Sequence, residues 1–162
     1  MINHILRRRI FMYTAVIVYD SFTGNTEKLA MAIAEGVKSN KNFNVIIKKV
    51  KDKFSLKVLN DADLIVLGSP TIYANVSPNI HNLLLALVEA VELGLYNLKG
   101  KYCAFFGSYG WDGARALNVV FTKYAKLIGL KVIHDGLFIV EHPSDYDIEK
   151  AKEFGATLAS TF

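Results

Sequence analysis

The stretch SFTGNT, residues 21–26, lies between two hydrophobic segments of the chain. The run before it, TAVIVY (14–19), is short, apolar and rich in β-branched residues, which predicts a buried strand. The residues after it, 26–38, place their apolar side chains on one face of a helix, namely Leu29, Ala30, Ile33, Ala34 and Val37. The polar stretch is therefore a predicted loop that leads from the end of a strand into the start of a helix.

The same strand, loop and helix pattern continues along the chain. Further strands are predicted at FNVIIKKV (43–50), DLIVLG (63–68), KYCAFFG (101–107) and KVIHDGLFIV (131–140). Helical segments are predicted within 51–61, at 79–93, at 114–128 and from the HPSDYD turn to near residue 160. Because parallel strands need right-handed crossover helices, the pattern predicts an α/β, doubly wound sandwich, with a five-stranded parallel sheet in the order 2-1-3-4-5 and helices on both faces.

Length and composition indicate one globular domain. The chain has 162 residues, of which 52% are hydrophobic, enough for one well-buried core and few for two. No apolar run approaches the roughly 18 residues of a membrane span, so no membrane association is expected. The single cysteine, Cys103, excludes an internal disulfide and favours a reducing compartment, so the cytoplasm is the predicted location.

The positive charge is concentrated at the amino terminus. Arg7, Arg8 and Arg9 stand in residues 1–11 without an acidic residue, and they supply most of the net charge of +4. The segment has no long apolar core and no small-residue cleavage site, so it predicts neither an export signal nor a membrane anchor, and no nucleic-acid partner is expected. We predict a basic extension over 1–11, or a native start at Met12, and a single domain over 12–162.

Three of the predicted loops are candidates for a ligand site. In a doubly wound sheet, ligands bind outside the carboxyl ends of the strands, where the strand order reverses. The loops after the first, third and fourth strands are 20–26, 69–77 and 108–113, and hydroxyls, prolines and aromatic residues gather in them. These loops are therefore expected to carry the chemistry of the protein.

The first of these loops has the composition of a phosphate site. Unpaired backbone N–H groups at a helix start can bind an anion together with the hydroxyl and amide groups of Ser21, Thr23, Asn25 and Thr26, and Gly24 allows a close approach. The loop has no lysine, and both the G-x-x-x-x-G-K-[ST] and G-x-G-x-x-G patterns are absent, so a terminal monophosphate is predicted. The alternative is a plain turn in which Asn25 or Thr26 caps the helix.

Two aromatic residues favour a flat ligand. Tyr73 and Trp111 lie in separate carboxyl-end loops, and Trp111 stands between Gly110 and the pair Asp112-Gly113, where a core residue is rare. Stacking on such a side chain contributes about 0.5–1.5 kcal/mol beyond the burial of area. The alternative is that Tyr109 and Trp111 close the core beneath the loop.

These motifs resemble those of a known family. YDSFTGNTEKLA (19–30) resembles the phosphate loop of flavodoxins, whose pattern is Ser/Thr-x-Thr-Gly-x-Thr. GSPTIYANVSP (68–78) and FGSYGWDGA (106–114) follow at the expected distances, and both are most similar to the flavodoxin-like domain of A-type flavoproteins, also called flavodiiron proteins. The resemblance covers about residues 12–160 and implies a flavodoxin-like fold with FMN as the cofactor.

The resemblance also implies which residues meet FMN. The phosphate would be held by Ser21, Thr23, Gly24, Asn25 and Thr26. The ribityl chain and one side of the isoalloxazine would meet Ser69, Pro70, Thr71, Ile72, Tyr73 and Asn75. The other side would meet Ser108, Tyr109, Gly110, Trp111 and Gly113.

The sequence departs from that family in two respects. Flavodiiron proteins carry a metallo-β-lactamase-like domain with His, Glu and Asp iron ligands, for which this sequence has no room, and its four histidines are scattered, so no metal site is predicted. Free-standing flavodoxins are strongly acidic, whereas residues 38–57 here hold seven lysines and one aspartate. This segment is either a solvated edge or a docking surface for an acidic redox partner.

Three functions remain open. The favoured one is an FMN-binding electron carrier, which shuttles one or two electrons between a protein donor and acceptor of ferredoxin, rubredoxin or diiron type, as a monomer or small homo-oligomer. The second is a small FMN-dependent NAD(P)H:quinone or flavin reductase, and the third is a binding module that does not use flavin. No carboxylate pair, nucleophile elbow or Cys/His couple is visible, so no catalytic residue is predicted.

Overall fold

The computed structural model describes residues 11–162, so the predicted basic extension lies outside the described residues except for Phe11. Within them, strands and helices alternate along the chain. The elements are β1 (Tyr13–Tyr19), α1 (Asn25–Lys38), β2 (Phe43–Lys49), α2 (Lys57–Asn60), β3 (Leu64–Pro70), α3 (Pro78–Glu92), β4 (Tyr102–Tyr109), α4 (Arg115–Ile128), β5 (Lys131–Val132), β6 (Leu137–Val140) and α5 (Asp145–Ala159). The predicted elements are therefore present, with their ends shifted by a few residues at most, except that two short strands stand where one was predicted over 131–140.

The sheet is parallel and has the predicted order. Strand β2 lies at one edge, followed by β1, β3 and β4, and both β5 and β6 pair with the far side of β4. In the register of the central strands, Tyr19 at the end of β1 lies opposite Gly68 of β3, which lies opposite Phe106 of β4. The carboxyl ends of these three strands therefore meet at one edge of the sheet, and that edge carries the three candidate loops.

The fifth strand is not continuous, so its prediction as one strand over 131–140 is wrong in this respect. Strand β5 pairs with the start of β4, and β6 pairs with its end. Between them the backbone N–H of Gly136 donates to Nδ1 of His134 at 3.0 Å, and Gly136 has a φ of 98°. That left-handed conformation suits glycine and cannot continue a strand, so the Asp-Gly pair divides the fifth position into two segments.

Each face of the sheet is covered by its own pair of helices. Ala15, Ile17 and Tyr19 of β1 pack into one apolar cluster with α1 and α5. Val16 and Val18 point to the opposite face and pack with α3 and α4. Because all five residues are buried, burial on both faces, as predicted from the unbroken apolar run, is confirmed.

Helices α3 and α5 begin at residues whose side chains cap them. The hydroxyl of Ser77 accepts the N–H of Ile80, and Pro78 follows at the first helical position of α3. Ser144 and Asp147 form a reciprocal capping box at the start of α5. These caps fix the point at which each chain segment turns away from the carboxyl edge.

Within residues 11–162, no helix combines the length and the apolar character needed to cross a bilayer.

Candidate functional site

The first loop, residues 20–26, is shaped by its own side chains. The hydroxyl oxygen of Ser21 accepts the N–H groups of Gly24 and Glu27, each at 3.2 Å. Gly24 stands immediately before α1 with a φ of 91°, and neither Asn25 nor Thr26 caps that helix. The alternative of a plain turn capped by Asn25 or Thr26 therefore does not describe this loop.

Several backbone donors of the first loop lack a partner. The N–H groups of Thr23, Asn25 and Thr26 donate to no acceptor among residues 11–162. They stand at the start of α1, where the helix dipole favours an anion. The geometry therefore leaves three neutral donors at the position where the sequence predicts a phosphate.

The second loop turns back on itself after β3. The N–H of Ile72 donates to the carbonyl oxygen of Asn75 at 2.9 Å, and the N–H of Asn75 donates to that of Ile72 at 3.1 Å. The two residues between them, Tyr73 and Ala74, have φ values of 48° and 57°, which are unusual for residues other than glycine. This tight turn leaves the Tyr73 side chain 88% exposed.

The third loop, after β4, displays the only tryptophan. The N–H of Gly113 donates to the carbonyl oxygen of Gly110 at 3.2 Å, which closes a short turn. The Trp111 side chain on that turn is 87% exposed. Trp111 therefore does not close the core, whereas Tyr109 at the end of β4 is half-buried.

The three loops surround two adjoining clefts. The first cleft, of about 350 Å³, is lined by Phe22, Thr23, Asn25, Pro70, Thr71, Ile72, Ser108, Tyr109, Gly110, Glu141 and His142. The second cleft, of about 460 Å³, is lined by Thr71, Ile72, Tyr73, Gly110, Trp111 and Asp112. Because Thr71, Ile72 and Gly110 line both, the two clefts adjoin each other at the carboxyl edge. We call the two together the depression.

The predicted site residues fall into two groups. Ten of them line one or both clefts: Thr23, Asn25, Pro70, Thr71, Ile72, Tyr73, Ser108, Tyr109, Gly110 and Trp111. Six line neither cleft and instead lie within the three loops or at their bases: Ser21, Gly24, Thr26, Ser69, Asn75 and Gly113.

Buried hydroxyls hold the loop bases together. Thr26 and Ser108, which belong to different loops, share a hydrogen bond of 2.8 Å between their hydroxyl oxygens. The hydroxyl of Ser69 donates to the carbonyl oxygen of Pro70 and accepts the N–H of Ser77, both at 2.8 Å. These hydroxyls are satisfied by the protein itself, so they fix the shape of the site.

The prediction omitted three residues that line the first cleft. Phe22 lies within the first loop, and Glu141 and His142 follow β6, where the sequence predicted only a turn and a helix cap. Nδ1 of His142 lies 2.9 Å from the side-chain oxygen of Asn25. The rule that ligands bind at carboxyl ends of strands applies equally to the last strand, and it would have pointed to this loop.

Two aspartates lie near the clefts, and both are held by hydrogen bonds. Asp20 is fully buried, and it accepts the N–H of Ser21 at 3.0 Å and the side-chain amide of Asn79 at 3.1 Å. Asp112 lines the second cleft. Partial burial alone would raise the pKa of the Asp112 carboxyl, but hydrogen bonds from the N–H of Ala74 and the hydroxyl of Thr71 lower it below its ordinary value.

Cys103 lies in the core and lines neither cleft. Cys103 is buried in β4, and burial raises the pKa of its thiol to about 12, so it remains protonated at neutral pH. Residues 11–162 contain no group of three or more His, Cys, Asp or Glu side chains arranged to hold a metal ion.

Comparison with known proteins gives consistent relatives. The flavodoxin family model matches residues 17–155. The flavo-diiron protein FprA2 of Clostridium acetobutylicum is 36% identical over 154 residues, which cover 90% of this chain and 35% of that protein. A flavodoxin of Clostridium beijerinckii is 31% identical over 145 residues, which cover 89% of this chain and 98% of that protein. The chain thus spans about a third of the length of several curated relatives that it matches, type A flavoproteins among them.

The solved structures agree with the sequence relatives. A flavodoxin from the domain Archaea superposes with a TM-score of 0.78 at 31% identity, covering 91% of this chain and 97% of that one. The resemblance to flavodoxins and to the flavodoxin-like domain of A-type flavoproteins is therefore confirmed. From its motifs, its fold and these relatives, the chain belongs to the flavodoxin family.

Proposed function

We propose that this protein binds FMN in the two adjoining clefts and transfers electrons between redox proteins. Flavin binding and electron transfer in general follow from membership of the flavodoxin family. The observation that carries the proposal for this chain is the convergence of the three loops. At one end of the depression stand N–H donors without an acceptor among residues 11–162, and at the other stand two exposed aromatic side chains.

The phosphate group would lie against the first loop. The N–H groups of Thr23, Asn25 and Thr26 face no protein acceptor among residues 11–162, and Thr23 lines the first cleft. These are neutral donors at a helix start, which suit a monophosphate without a metal ion. Ser21 and Gly24 contribute by shaping the loop.

The isoalloxazine would lie in the second cleft. Tyr73 and Trp111 line it from two different loops, and Thr71, Ile72 and Gly110 connect it to the first cleft. Two exposed aromatic side chains that line one cleft are the kind of surface that marks ligand-binding grooves. The ribityl chain would then run along Pro70 and Ser108, between the phosphate and the ring.

The redox chemistry would be divided between the cofactor and the chain that binds it. When bound, FMN supplies one- and two-electron redox chemistry, and the protein positions the ring and excludes side reactions. The partners would be a protein donor and a protein acceptor of ferredoxin, rubredoxin or diiron type, because the sequence shows no nicotinamide or quinone site. The cytoplasmic location and a monomeric or small oligomeric state stay predictions.

The first experiment is a visible spectrum of the purified protein with added FMN during stepwise reduction. We expect flavin bands that change on binding, with a long-wavelength band between the oxidised and fully reduced spectra. Trp111→Ala should weaken FMN binding about fivefold, through the lost stacking. Tyr146→Ala is the matched control, because Tyr146 is 69% exposed and lies outside both clefts.

The outcomes separate the open functions. Failure of the wild-type protein to bind FMN would contradict the proposal and leave a module without flavin. Rapid turnover of NAD(P)H with a quinone would instead favour the reductase. Equal losses of FMN affinity in Trp111→Ala and in the control Tyr146→Ala would show that the second cleft does not hold the ring.

A further inference from the structure

We propose that Asp112 is a positioning residue that locks the second loop to the third and thereby holds the second cleft open in the shape that a flat ligand needs. The carboxylate stands on the third loop, next to Trp111. Both of its oxygens accept hydrogen bonds from the second loop. The part of the inference that concerns a ligand rests on the proposed binding of FMN, whereas the part that concerns the loops does not.

Asp112 forms a bridge between the two loops, which consists of two hydrogen bonds of nearly equal length. The hydroxyl of Thr71 donates to one carboxylate oxygen of Asp112 at 2.7 Å, and the backbone N–H of Ala74 donates to the other at 2.8 Å. Both distances are typical of strong, charge-assisted hydrogen bonds. The two donors stand on either side of Tyr73, so the bridge fixes the backbone that carries this aromatic side chain.

The turn needs such support. Tyr73 and Ala74 both adopt left-handed φ values, a conformation that costs free energy in residues with a Cβ. Within the turn, only the mutual hydrogen bonds of Ile72 and Asn75 hold this shape. The bond from Ala74 to Asp112 offsets the cost and ties the strained turn to a second, independent loop.

A carboxylate suits this position better than an amide of the same size. The Ala74 N–H can only donate, whereas the Thr71 hydroxyl can donate or accept. An asparagine could therefore keep both contacts, with its oxygen accepting from Ala74 and its NH₂ group donating to Thr71, but neither hydrogen bond would then be strengthened by a negative charge. Asp112→Asn thus removes the charge from both hydrogen bonds with almost no change in volume.

The consequence for binding is a preformed cleft. Tyr73 and Trp111 belong to loops that follow two different strands, β3 and β4. Where these strands end, they are also joined by the hydrogen bond from the Thr71 N–H to the carbonyl oxygen of Ser108, at 2.9 Å. That bond lies at the base of the cleft, whereas Asp112 acts at its rim. Without the bridge, a ligand would have to order the rim as it binds, and its affinity would fall.

The test has a readout that needs no ligand. In the free protein, hydrogen exchange at the Ala74 amide is measured by NMR for the wild type, Asp112→Asn and Thr71→Val. We expect exchange at Ala74 about tenfold faster in Asp112→Asn, since hydrogen bonds to charged groups are the strong ones, and a smaller increase in Thr71→Val. Asp135→Asn is the control, because Asp135 is exposed and accepts no side-chain hydrogen bond among residues 11–162.

A second readout concerns the ligand itself. At saturating FMN, the induced visible circular dichroism of the flavin should change in Asp112→Asn and stay unchanged in Asp135→Asn. The Kd for FMN should rise about tenfold in Asp112→Asn and not in Asp135→Asn. A simple loss of stability would not alter the dichroism of a saturated site. The dichroism therefore distinguishes positioning from a general structural role.

The results separate this inference from the proposed function. Unchanged Ala74 exchange in both Asp112→Asn and Thr71→Val would overturn the bridge, whatever the protein binds. Faster exchange with an unchanged Kd and dichroism would overturn its role in positioning a ligand. If the wild type bound no FMN, the proposed function would fail, while Ala74 exchange would still decide whether the bridge exists.

Discussion

His142 connects the loop after β6 with the first loop. Its Nδ1 lies 2.9 Å from the side-chain oxygen of Asn25, and because an amide oxygen only accepts, Nδ1 carries the proton and donates. The NH₂ group of Asn25 is then directed away from the imidazole. Both residues line the first cleft, so His142 orients an amide donor next to the proposed phosphate position.

Replacement of His142 should therefore affect the phosphate more than the ring. We expect His142→Ala to raise the Kd for FMN about fivefold, because one hydrogen bond that orients Asn25 is lost. Riboflavin, which has no phosphate, should bind the variant as it binds the wild type. Titration of flavin fluorescence measures both constants, and equal losses for the two flavins would show that His142 supports the fold instead.

The sequence indicated which residues gather at the clefts better than which group each of them contacts. Hydroxyls at strand ends were recognisable from their position after apolar runs, and ten of the predicted residues line the clefts. Sequence spacing does not tell which hydroxyl meets a ligand, because that depends on contacts across the fold. Thr26 and Ser108 are 82 residues apart and satisfy each other, and the pairing of Asn25 with His142 spans 117 residues.

At the scale of elements, helices α1 and α5 pack at backbone distance. A Cβ on Gly155 of α5 would overlap the carbonyl oxygen of Ile33 in α1, and a Cβ on Gly36 of α1 would overlap that of Lys152 in α5. Each glycine thus lies directly against the backbone of the other helix. This close contact holds the helix that starts at the first loop against the helix that follows the loop of His142.

Gly155→Ala should therefore destabilise the protein. In an isolated helix, alanine is about 1 kcal/mol more favourable than glycine, but here the added methyl group must displace the backbone of α1. We expect a net loss of about 1–3 kcal/mol in the free energy of unfolding, measured by urea denaturation. Thr157→Ala, on the exposed face of the same helix, should change that energy little or increase it.

A gain of stability in Gly155→Ala would contradict the close packing of the two helices. The sequence predicted both helices but not this contact, because a glycine within a helical pattern indicates only a weaker helix. The fifth strand shows a similar limit. Its apolar pattern was read as one run over 131–140, whereas the turn at Gly136 depends on a backbone conformation that hydrophobicity does not report.

At the scale of the whole molecule, positive charge borders the first cleft. Nζ of Lys51 lies 5.0 Å from the centre of the Phe22 ring, and Phe22 lines that cleft. Lys49 forms an ion pair with Glu27, with 3.7 Å between Nζ of the lysine and Oε1 of the glutamate. Lys51 and Lys53 are exposed and form no ion pair within residues 11–162, so their charge is available to a partner at the carboxyl edge.

An acidic redox protein should therefore approach this edge. We expect the double variant Lys51→Glu/Lys53→Glu, reduced and loaded with FMN, to transfer electrons to an acidic ferredoxin about tenfold more slowly at low salt, because electrostatic steering is reversed. Stopped-flow mixing measures the rate, and added salt should bring variant and wild type together. The control is the double variant Lys38→Glu/Lys41→Glu, which makes the same change of charge beyond the other end of the sheet, where α1 ends and β2 begins. An equal decrease in both double variants would show that only net charge matters, and no decrease in either would show that the partner docks elsewhere.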